Sequence, residues 1–214
     1  MTQANYQILR ETMVSNQLRT VAVSDPAVVA AMKAVPREAF VPAERVSLAY
    51  TDAALPLGGG RALNPPMATG RLLTALDARP GERALVVGAA TGYAAALLAE
   101  MGLTVTALEE DAALADMARS ALKGVTVVSG PLAEGWAKGA PYDVILVDGA
   151  IEHVPDTLKA QLAEGGRMAA GLVERGVTRL AAGRKAGDAL VLADFADVDT
   201  VVLPGFALPR TFVF

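Results

Sequence analysis

Short apolar runs alternate with amphipathic segments through the second half of this chain. The runs are four or five residues long and apolar on both faces, which is typical of strands in a parallel sheet that is covered on both sides. The segments between them have helical spacing, so the sequence predicts an α/β fold with a mostly parallel sheet. The predicted strands are Ala84–Val87, Thr104–Leu108, Thr126–Ser129, Asp143–Val147 and Arg167–Ala170, and the predicted helices are Tyr93–Met101, Ala112–Leu122 and Pro155–Leu162.

The pattern changes at both ends of this region. After it, Val177–Arg184 and Ala189–Phe195 flank a polar turn, which predicts an antiparallel hairpin at the sheet edge. Before it, the first 60 residues are predicted to be helical, and Pro56–Gly60 is predicted to be an irregular loop. We therefore expect a single domain over residues 1–214, with a helical extension at 1–60 and a Rossmann-like core at 61–214.

Two helix starts are predicted in the extension and just after it. Asp25 is the expected N-cap of a helix that has Pro26 at its first position. Asn64 stands before Pro65 and Pro66 in the same way, so it is an N-cap candidate as well as a site candidate. Both starts follow from the preference for a side-chain acceptor next to the unpaired backbone N–H groups of the first turn.

Composition and charge exclude several functional classes. The 214 residues include no cysteine and one histidine, so neither a disulfide framework nor a multi-histidine metal site is expected. The net charge of -4 and the absence of a basic block argue against nucleic acid and anionic lipid as partners. No apolar stretch has the length of a membrane span and no export signal is evident, so we expect a cytoplasmic protein.

The strand, turn and helix at Arg83–Tyr93 carry the clearest chemistry. A small-residue turn between a strand and a helix lets backbone N–H groups approach a ligand closely. Glu109 ends the next apolar run, where a carboxylate is placed to hold a ribose. The layout predicts a nucleoside-cofactor site, although Ala90 replaces the middle glycine of such turns. The alternatives are a turn without a ligand and a solvated Glu109.

The stretch Val35–Pro42 reads Val-Pro-Arg-Glu-Ala-Phe-Val-Pro and is the most specific of several motifs in the chain. These motifs resemble those of the protein-L-isoaspartate O-methyltransferases. The resemblance extends over about residues 8–172 and includes Met13–Leu18, Ala49–Asp52, Gly88–Gly92 and Gln161–Arg167. It implies a class I methyltransferase fold that binds S-adenosyl-L-methionine and methylates isoaspartyl carboxylates, the first step in the repair of damaged protein. The implied partner is an isoaspartyl protein or peptide, or else a small-molecule acceptor.

The resemblance also assigns site residues, and several of them depart from the family's pattern. Asn64 stands where the family has its active-site serine, and Ala62 replaces a threonine. Val86 and Pro131 replace two acidic residues at the cofactor, and Asp148 adds a carboxylate where the family has a small or hydroxyl residue. The implied catalytic residue is Asn64, and the implied cofactor-binding residues are Ala62, Leu63, Gly88, Ala89, Ala90, Gly92, Glu109, Gly130, Pro131, Leu132 and Asp148.

These substitutions leave three hypotheses open. The first is the family's own reaction, the second is methyl transfer to a different acceptor, and the third is a regulatory protein that has lost catalysis. For Asp148 the alternative is a residue that caps the following turn, and His153 is expected in a surface turn over the site. The oligomeric state and the role of the apolar tail Val201–Phe214 are not predicted.

Overall fold

A central sheet with strand order β10-β8-β7-β6-β3-β4-β5 organises the protein, whose computed structural model describes residues 3–208. The pairs β3–β4, β4–β5, β3–β6 and β6–β7 are parallel, as the apolar runs predict. The strands are β1 Leu55–Gly58, β2 Arg61–Leu63, β3 Arg83–Val87, β4 Thr104–Glu109, β5 Thr126–Ser129, β6 Tyr142–Ile151, β7 Leu162–Glu174, β8 Val177–Ala186, β9 Ala189–Leu190 and β10 Ala193–Asp197. The helices are α1 Gln3–Thr12, α2 Pro26–Ala34, α3 Pro66–Leu76, α4 Tyr93–Glu100, α5 Ala112–Ala121 and α6 Asp156–Gln161.

Hydrophobic side chains form two cores, one on each face of the sheet. Along β3, Ala84 and Val86 belong to one core and Leu85 and Val87 to the other, as expected for a strand that is buried on both sides. The first core lies under the N-terminal helices, α3 and α4. The second is covered by α6 and by C-terminal residues that include Leu203 and Phe206.

The antiparallel edge is larger than predicted. The expected hairpin is present, because β8 pairs antiparallel with both β9 and β10. However, β7 also pairs antiparallel with β8, through a tight turn at Arg175 and Gly176, both of which have positive φ. Only Arg167–Ala170 was predicted as strand, whereas β7 runs over 13 residues and carries the sheet into this turn.

The N-terminal extension is mostly helical, with one correction. The Asp25 side chain caps α2 by accepting hydrogen bonds from the N–H groups of Ala27 and Val28, as predicted. Residues 56–58 do not form an irregular loop: they lie in β1, which pairs with β2 around the turn at Gly59 and Gly60. The prediction of helix throughout the first 60 residues was wrong at this hairpin. No helix within residues 3–208 is both long and apolar enough to cross a membrane.

The signature residues of the extension fasten it to the core. Tyr50 donates a hydrogen bond to Glu38 and accepts one from Arg10 Nε at 2.9 Å. Gln17 Nε2 donates to the Tyr50 carbonyl at 3.1 Å, and Asp52 accepts the Met67 N–H at the start of α3. These contacts join the helices of the extension to the Ala49–Asp52 segment and, through Asp52, to the start of α3.

Candidate functional site

The site lies where the strand order reverses, at the carboxyl ends of β3 and β6. Strands β4 and β5 follow β3 on one side of the sheet, and β6 lies on its other side. Open α/β sheets bind their ligands in the crevice at such a switch point. The predicted turn after β3 lies here, with positive φ at Gly88, Ala90 and Gly92. Ala90 keeps the left-handed backbone conformation of a glycine, although its Cβ makes that conformation less favourable.

Glu109 is fully buried beside this turn, so it is not a solvated acid. One of its carboxylate oxygens accepts the Ala90 N–H at 2.7 Å, and the other accepts the N–H groups of Glu110 and Asp111 at 3.0 Å each. The carboxylate also forms an ion pair with the Arg61 guanidinium. Both oxygens therefore have protein donors.

Sequence reasoning missed Arg61, which lies at the centre of the site. Its side chain is 5 % exposed and reaches from β2 to Glu109, with Nη2 2.9 Å from Oε2. The same nitrogen donates to the Gly88 carbonyl at 3.2 Å, so one guanidinium spans the carboxylate and the glycine turn. The available signal was its position directly before Ala62, Leu63 and Asn64, in the segment that the resemblance assigned to the site.

Asn64 and Asp148 form the second polar centre. Asn64 Nδ2 donates to Asp148 Oδ1 at 2.8 Å, and Asn64 Oδ1 accepts the Val201 N–H at 2.9 Å. Asn64 is therefore not the N-cap of α3, a position that Pro65 takes without a side-chain hydrogen bond. Nor does Asp148 cap a turn, because it lies within β6. Burial raises the pKa of Asp148, and the Asn64 amide and the Arg37 guanidinium offset only part of this effect.

A second buried arginine, Arg37, lies behind Asn64. Its Nε donates to the Ala49 carbonyl at 2.8 Å and its Nη2 to the Asn64 carbonyl at 2.7 Å. Its guanidinium carbon lies 4.7 Å from the centroid of the Tyr93 ring, within the range of a cation–π interaction. This arginine comes from the Val35–Pro42 signature and fixes the backbone at the start of α3.

The C-terminal segment 198–206, called here the closing segment, crosses the carboxyl ends of β3 and β6. The Ala150 N–H donates to the Val201 carbonyl at 2.7 Å, and the Leu203 N–H donates to the Ala150 carbonyl at 2.8 Å. The last residues of β6 therefore lie between the closing segment and β7, and β6 ends at Ile151, four residues beyond the predicted strand end. Within the apolar tail, whose role the sequence does not predict, Leu203 and Phe206 belong to the second core while Val202 is exposed, and residues 209–214 lie outside the described part of the chain.

Leu203 fills the space in front of the glycine turn. A Cβ built on Gly88 would lie 2.7 Å from Leu203 Cδ1 and 3.4 Å from Arg61 Nη2. A Cβ built on Gly149, on β6, would lie 2.6 Å from Leu203 Cγ. Leu203 is 4 % exposed. The crevice between the two strand ends is therefore filled by one leucine and one arginine of the chain itself.

The other predicted site residues flank these two centres. The Gly130 N–H donates to the Glu109 carbonyl at 3.3 Å, and exposed Pro131 precedes a short helix that begins at buried Leu132. Ala62 and Leu63 lie in β2, opposite Pro56 and Leu55. His153 lies 3.0 Å from the Phe206 carbonyl through Nδ1, so it contacts the closing segment.

The fold and the switch-point site define the class of this protein: it is a Rossmann-like methyltransferase of class I. The family model of protein-L-isoaspartate(D-aspartate) O-methyltransferase (PCMT) matches residues 9–204. The chain therefore belongs to this family, as the signature predicts. Its methyl donor is S-adenosyl-L-methionine.

Named relatives agree with this assignment. Protein-L-isoaspartate O-methyltransferase 1 of Rhodopseudomonas palustris is 46% identical over 164 residues, which cover 74% of this chain and 67% of the relative. The enzyme of the same name from Methylorubrum extorquens is 43% identical over 199 residues, which cover 91% of this chain and 87% of the relative.

Solved structures show the same fold. A protein-L-isoaspartate O-methyltransferase matches with a TM-score of 0.80 and 25% identity, over 92% of this chain and 66% of the solved one. A Plasmodium falciparum protein, named as a candidate member of this family and solved with S-adenosyl-L-homocysteine, has a TM-score of 0.75 and 20% identity. The match covers 92% of this chain and 97% of the Plasmodium protein, and at that identity it shows the fold alone.

The side chains around the turn do not admit a nucleoside in the arrangement described. A ribose would need the acceptor oxygens of Glu109, to which the Arg61 guanidinium is bound. A ligand above the turn would need the space that Leu203 fills. The backbone of the family's cofactor site is therefore present, while two side chains occupy its interior.

Proposed function

We propose that this protein transfers a methyl group from S-adenosyl-L-methionine to the free carboxylate of an isoaspartyl residue in a protein or peptide. The match of the PCMT family model over residues 9–204 carries the proposal. The site supports it because a buried carboxylate and a strand-to-helix turn lie together at the switch point. The comparisons do not favour the other two hypotheses, a different acceptor or a loss of catalysis.

The reaction asks little of the protein in acid–base terms. An isoaspartyl carboxylate is ionised near pH 7 and is already a nucleophile, so no general base is needed. The sulfonium of the bound donor supplies an activated methyl group. The protein has to orient the two reactants and to exclude water. The absence of a catalytic dyad among the predicted site residues is consistent with this chemistry.

Asn64 is the residue that we propose holds the acceptor carboxylate. Its Nδ2 carries two hydrogens, and only one is needed for Asp148. Asp148 bears on the same step, because an ionised Asp148 would repel a carboxylate. Since burial raises the pKa of Asp148, the neutral form that can donate a hydrogen bond is favoured relative to an exposed aspartate.

The cofactor contacts belong to the same proposal. Glu109 would hold the ribose hydroxyls after Arg61 has moved away, and Gly88, Ala89, Ala90 and Gly92 would provide the close backbone approach. Leu132, Gly130 and Pro131 lie on the β5 side of Glu109, where the base would be expected. A cytoplasmic location and an isoaspartyl protein as the partner complete the proposal.

The direct test measures transfer of labelled methyl groups to an isoaspartyl peptide. The matched control substrate is the same peptide with a normal aspartate. Its main chain is one carbon atom shorter at that residue, and its free carboxylate is the side-chain one. We expect base-labile methyl ester on the isoaspartyl peptide only. Asn64→Ala should lower kcat/KM by at least tenfold, whereas Asn64→Ser should retain more activity because its hydroxyl can also donate a hydrogen bond.

Two results would contradict the proposal. The first is the absence of methyl ester on the isoaspartyl peptide with folded protein, under conditions where the donor is shown to bind. The second is equal labelling of the two peptides, which would remove the isoaspartyl specificity.

A further inference from the structure

We infer that Arg61 and Leu203 act as an internal ligand of the cofactor site, so that S-adenosyl-L-methionine binds in competition with the protein's own side chains. This inference rests on the proposed function, because it concerns the regulation of the same site. It assigns a role to two residues that the sequence motifs do not single out.

The Arg61 guanidinium occupies the polar half of the site. It donates hydrogen bonds to both carboxylate oxygens of Glu109 and to the Gly88 carbonyl, which are the groups that would face a ligand at the turn. After its departure, Glu109 would keep three backbone N–H bonds, from Ala90, Glu110 and Asp111. The carboxylate would stay oriented and would have free lone pairs for a ribose diol. The same carboxylate can thus serve either the arginine or the nucleoside.

Leu203 occupies the apolar half. Leu203 lies so close to Gly88 and Gly149 that a Cβ placed on either glycine would overlap its side chain. The main chain on either side of it holds it there through the Val201 and Leu203 N–H groups, which bind Asn64 and Ala150. Asn64 thus links the closing segment to the acceptor centre. Displacement of the segment would leave Oδ1 of the Asn64 side chain without the Val201 N–H.

The two halves are parts of one arrangement. Arg61 Nη2 and Leu203 Cδ1 both approach the same face of Gly88. A ligand that enters has to move Arg61 towards solvent and lift the closing segment. Val202 and Pro204, on either side of Leu203, are exposed, so the segment lies at the surface there and its displacement breaks two backbone hydrogen bonds to Ala150 without separating any pair of the named strands. The apparent dissociation constant then equals the intrinsic one divided by the fraction of molecules in which Arg61 and Leu203 have left the site.

Titration calorimetry with S-adenosyl-L-methionine on the full chain tests this competition. Arg61→Gln removes the charge that holds Glu109, and Leu203→Ala removes the side chain in the crevice. Each is expected to bind the donor at least tenfold more tightly than the unsubstituted protein, which corresponds to about 1.4 kcal/mol. The matched controls are Val202→Ala, an exposed neighbour on the same segment, and Arg79→Gln, an arginine in an exposed ion pair. Both controls should bind within twofold of the unsubstituted protein.

Hydrogen exchange gives a second readout that does not depend on turnover. Saturation with the donor should speed exchange at the Val201 and Leu203 amides, because displacement of the closing segment breaks their hydrogen bonds to Asn64 Oδ1 and to the Ala150 carbonyl. Ordinary ligand binding would slow it. Thermal melts of Arg61→Gln and Leu203→Ala establish that each variant is folded before its affinity is read.

The inference is overturned if both variants bind with the affinity of the unsubstituted protein, if none of the proteins binds at 1 mM donor, or if the donor protects the two amides. The absence of donor binding would contradict the proposed function as well, whereas the other two outcomes concern the inference alone. Tighter donor binding by both variants, together with no methyl transfer by the unsubstituted protein when its donor site is saturated, would leave the inference standing and contradict the function. Methyl transfer by the unsubstituted protein, with an affinity equal to that of both variants, would do the reverse.

Discussion

Two arginines are buried within the same site, and they are held in opposite ways. Arg61 binds a carboxylate, that of Glu109, and the ion pair is almost completely removed from solvent. Arg37 has no carboxylate among its hydrogen-bond partners in the described chain and donates to two backbone carbonyls. The Arg61 guanidinium is therefore neutralised by Glu109, the residue that would bind the ligand, and the Arg37 guanidinium fixes the backbone.

The difference separates a replaceable contact from a structural one. A nucleoside can take the place of Arg61 at Glu109, since hydroxyl groups can satisfy the same acceptors. Nothing that enters the site can take the place of Arg37, because its partners are the carbonyls of Ala49 and Asn64 in the main chain. Substitution of Arg37 should therefore lower stability, whereas substitution of Arg61 should lower stability less and also change donor binding.

The largest stability loss is expected from Arg37→Met. The variant keeps an apolar stem but leaves two buried carbonyls without donors, at about 1–3 kcal/mol each, so we expect a loss of about 3–5 kcal/mol. Urea unfolding followed by circular dichroism measures it. Arg37→Lys, which retains a donor, should lose less. A loss below about 1 kcal/mol for Arg37→Met would show that water or a neighbour replaces the guanidinium.

The next effect is expected from Arg61→Met. It leaves the Glu109 carboxylate buried without its cation, but three backbone N–H groups still bind it, so we expect a loss of about 2–3 kcal/mol. A double-mutant cycle with Glu109→Gln isolates the pair, and the coupling should be about 1–3 kcal/mol. Additive losses would mean that the two side chains do not stabilise each other.

The contrast between the arginines also explains what the sequence could predict. The parallel strands follow from local apolar runs, and β5 has the predicted bounds, Thr126–Ser129. The turn at Gly88–Gly92 and the carboxylate at Glu109 follow from spacing within one strand–helix–strand unit. These features depend on residues that are close in the chain, where a periodic pattern carries the information.

The occupants of the site depend on contacts across long stretches of chain. Arg61 and Glu109 are 48 positions apart, and Asn64 and Val201 are 137 apart. No local pattern indicates that an arginine in a short hairpin reaches that carboxylate, or that the tail covers that asparagine. For the same reason the sequence could not decide whether Asn64 is a helix cap or a site residue. The residues next to it in the chain are compatible with both roles.

The smallest predicted effect concerns the pH dependence that Asp148 adds to stability. Burial raises the pKa of this carboxyl in the folded protein above its unfolded value of about 3.9. The folded state therefore binds the proton more tightly, and the contribution of Asp148 to stability falls as pH rises from the unfolded pKa to the folded pKa. In Asp148→Asn this contribution is absent, while an acceptor for Asn64 remains.

Urea unfolding at half-unit steps from pH 4 to pH 7 measures the difference between the two proteins. The stability of Asp148→Asn minus that of the unsubstituted protein should increase with pH, by up to about 1.4 kcal/mol per unit, and then become constant above the raised pKa. Asp188→Asn, exposed in the turn between β8 and β9, is the matched control for the loss of one carboxylate away from the site. A difference that shrinks as pH rises would mean that the Arg37 and Arg61 cations outweigh burial, and that Asp148 faces the acceptor as an anion.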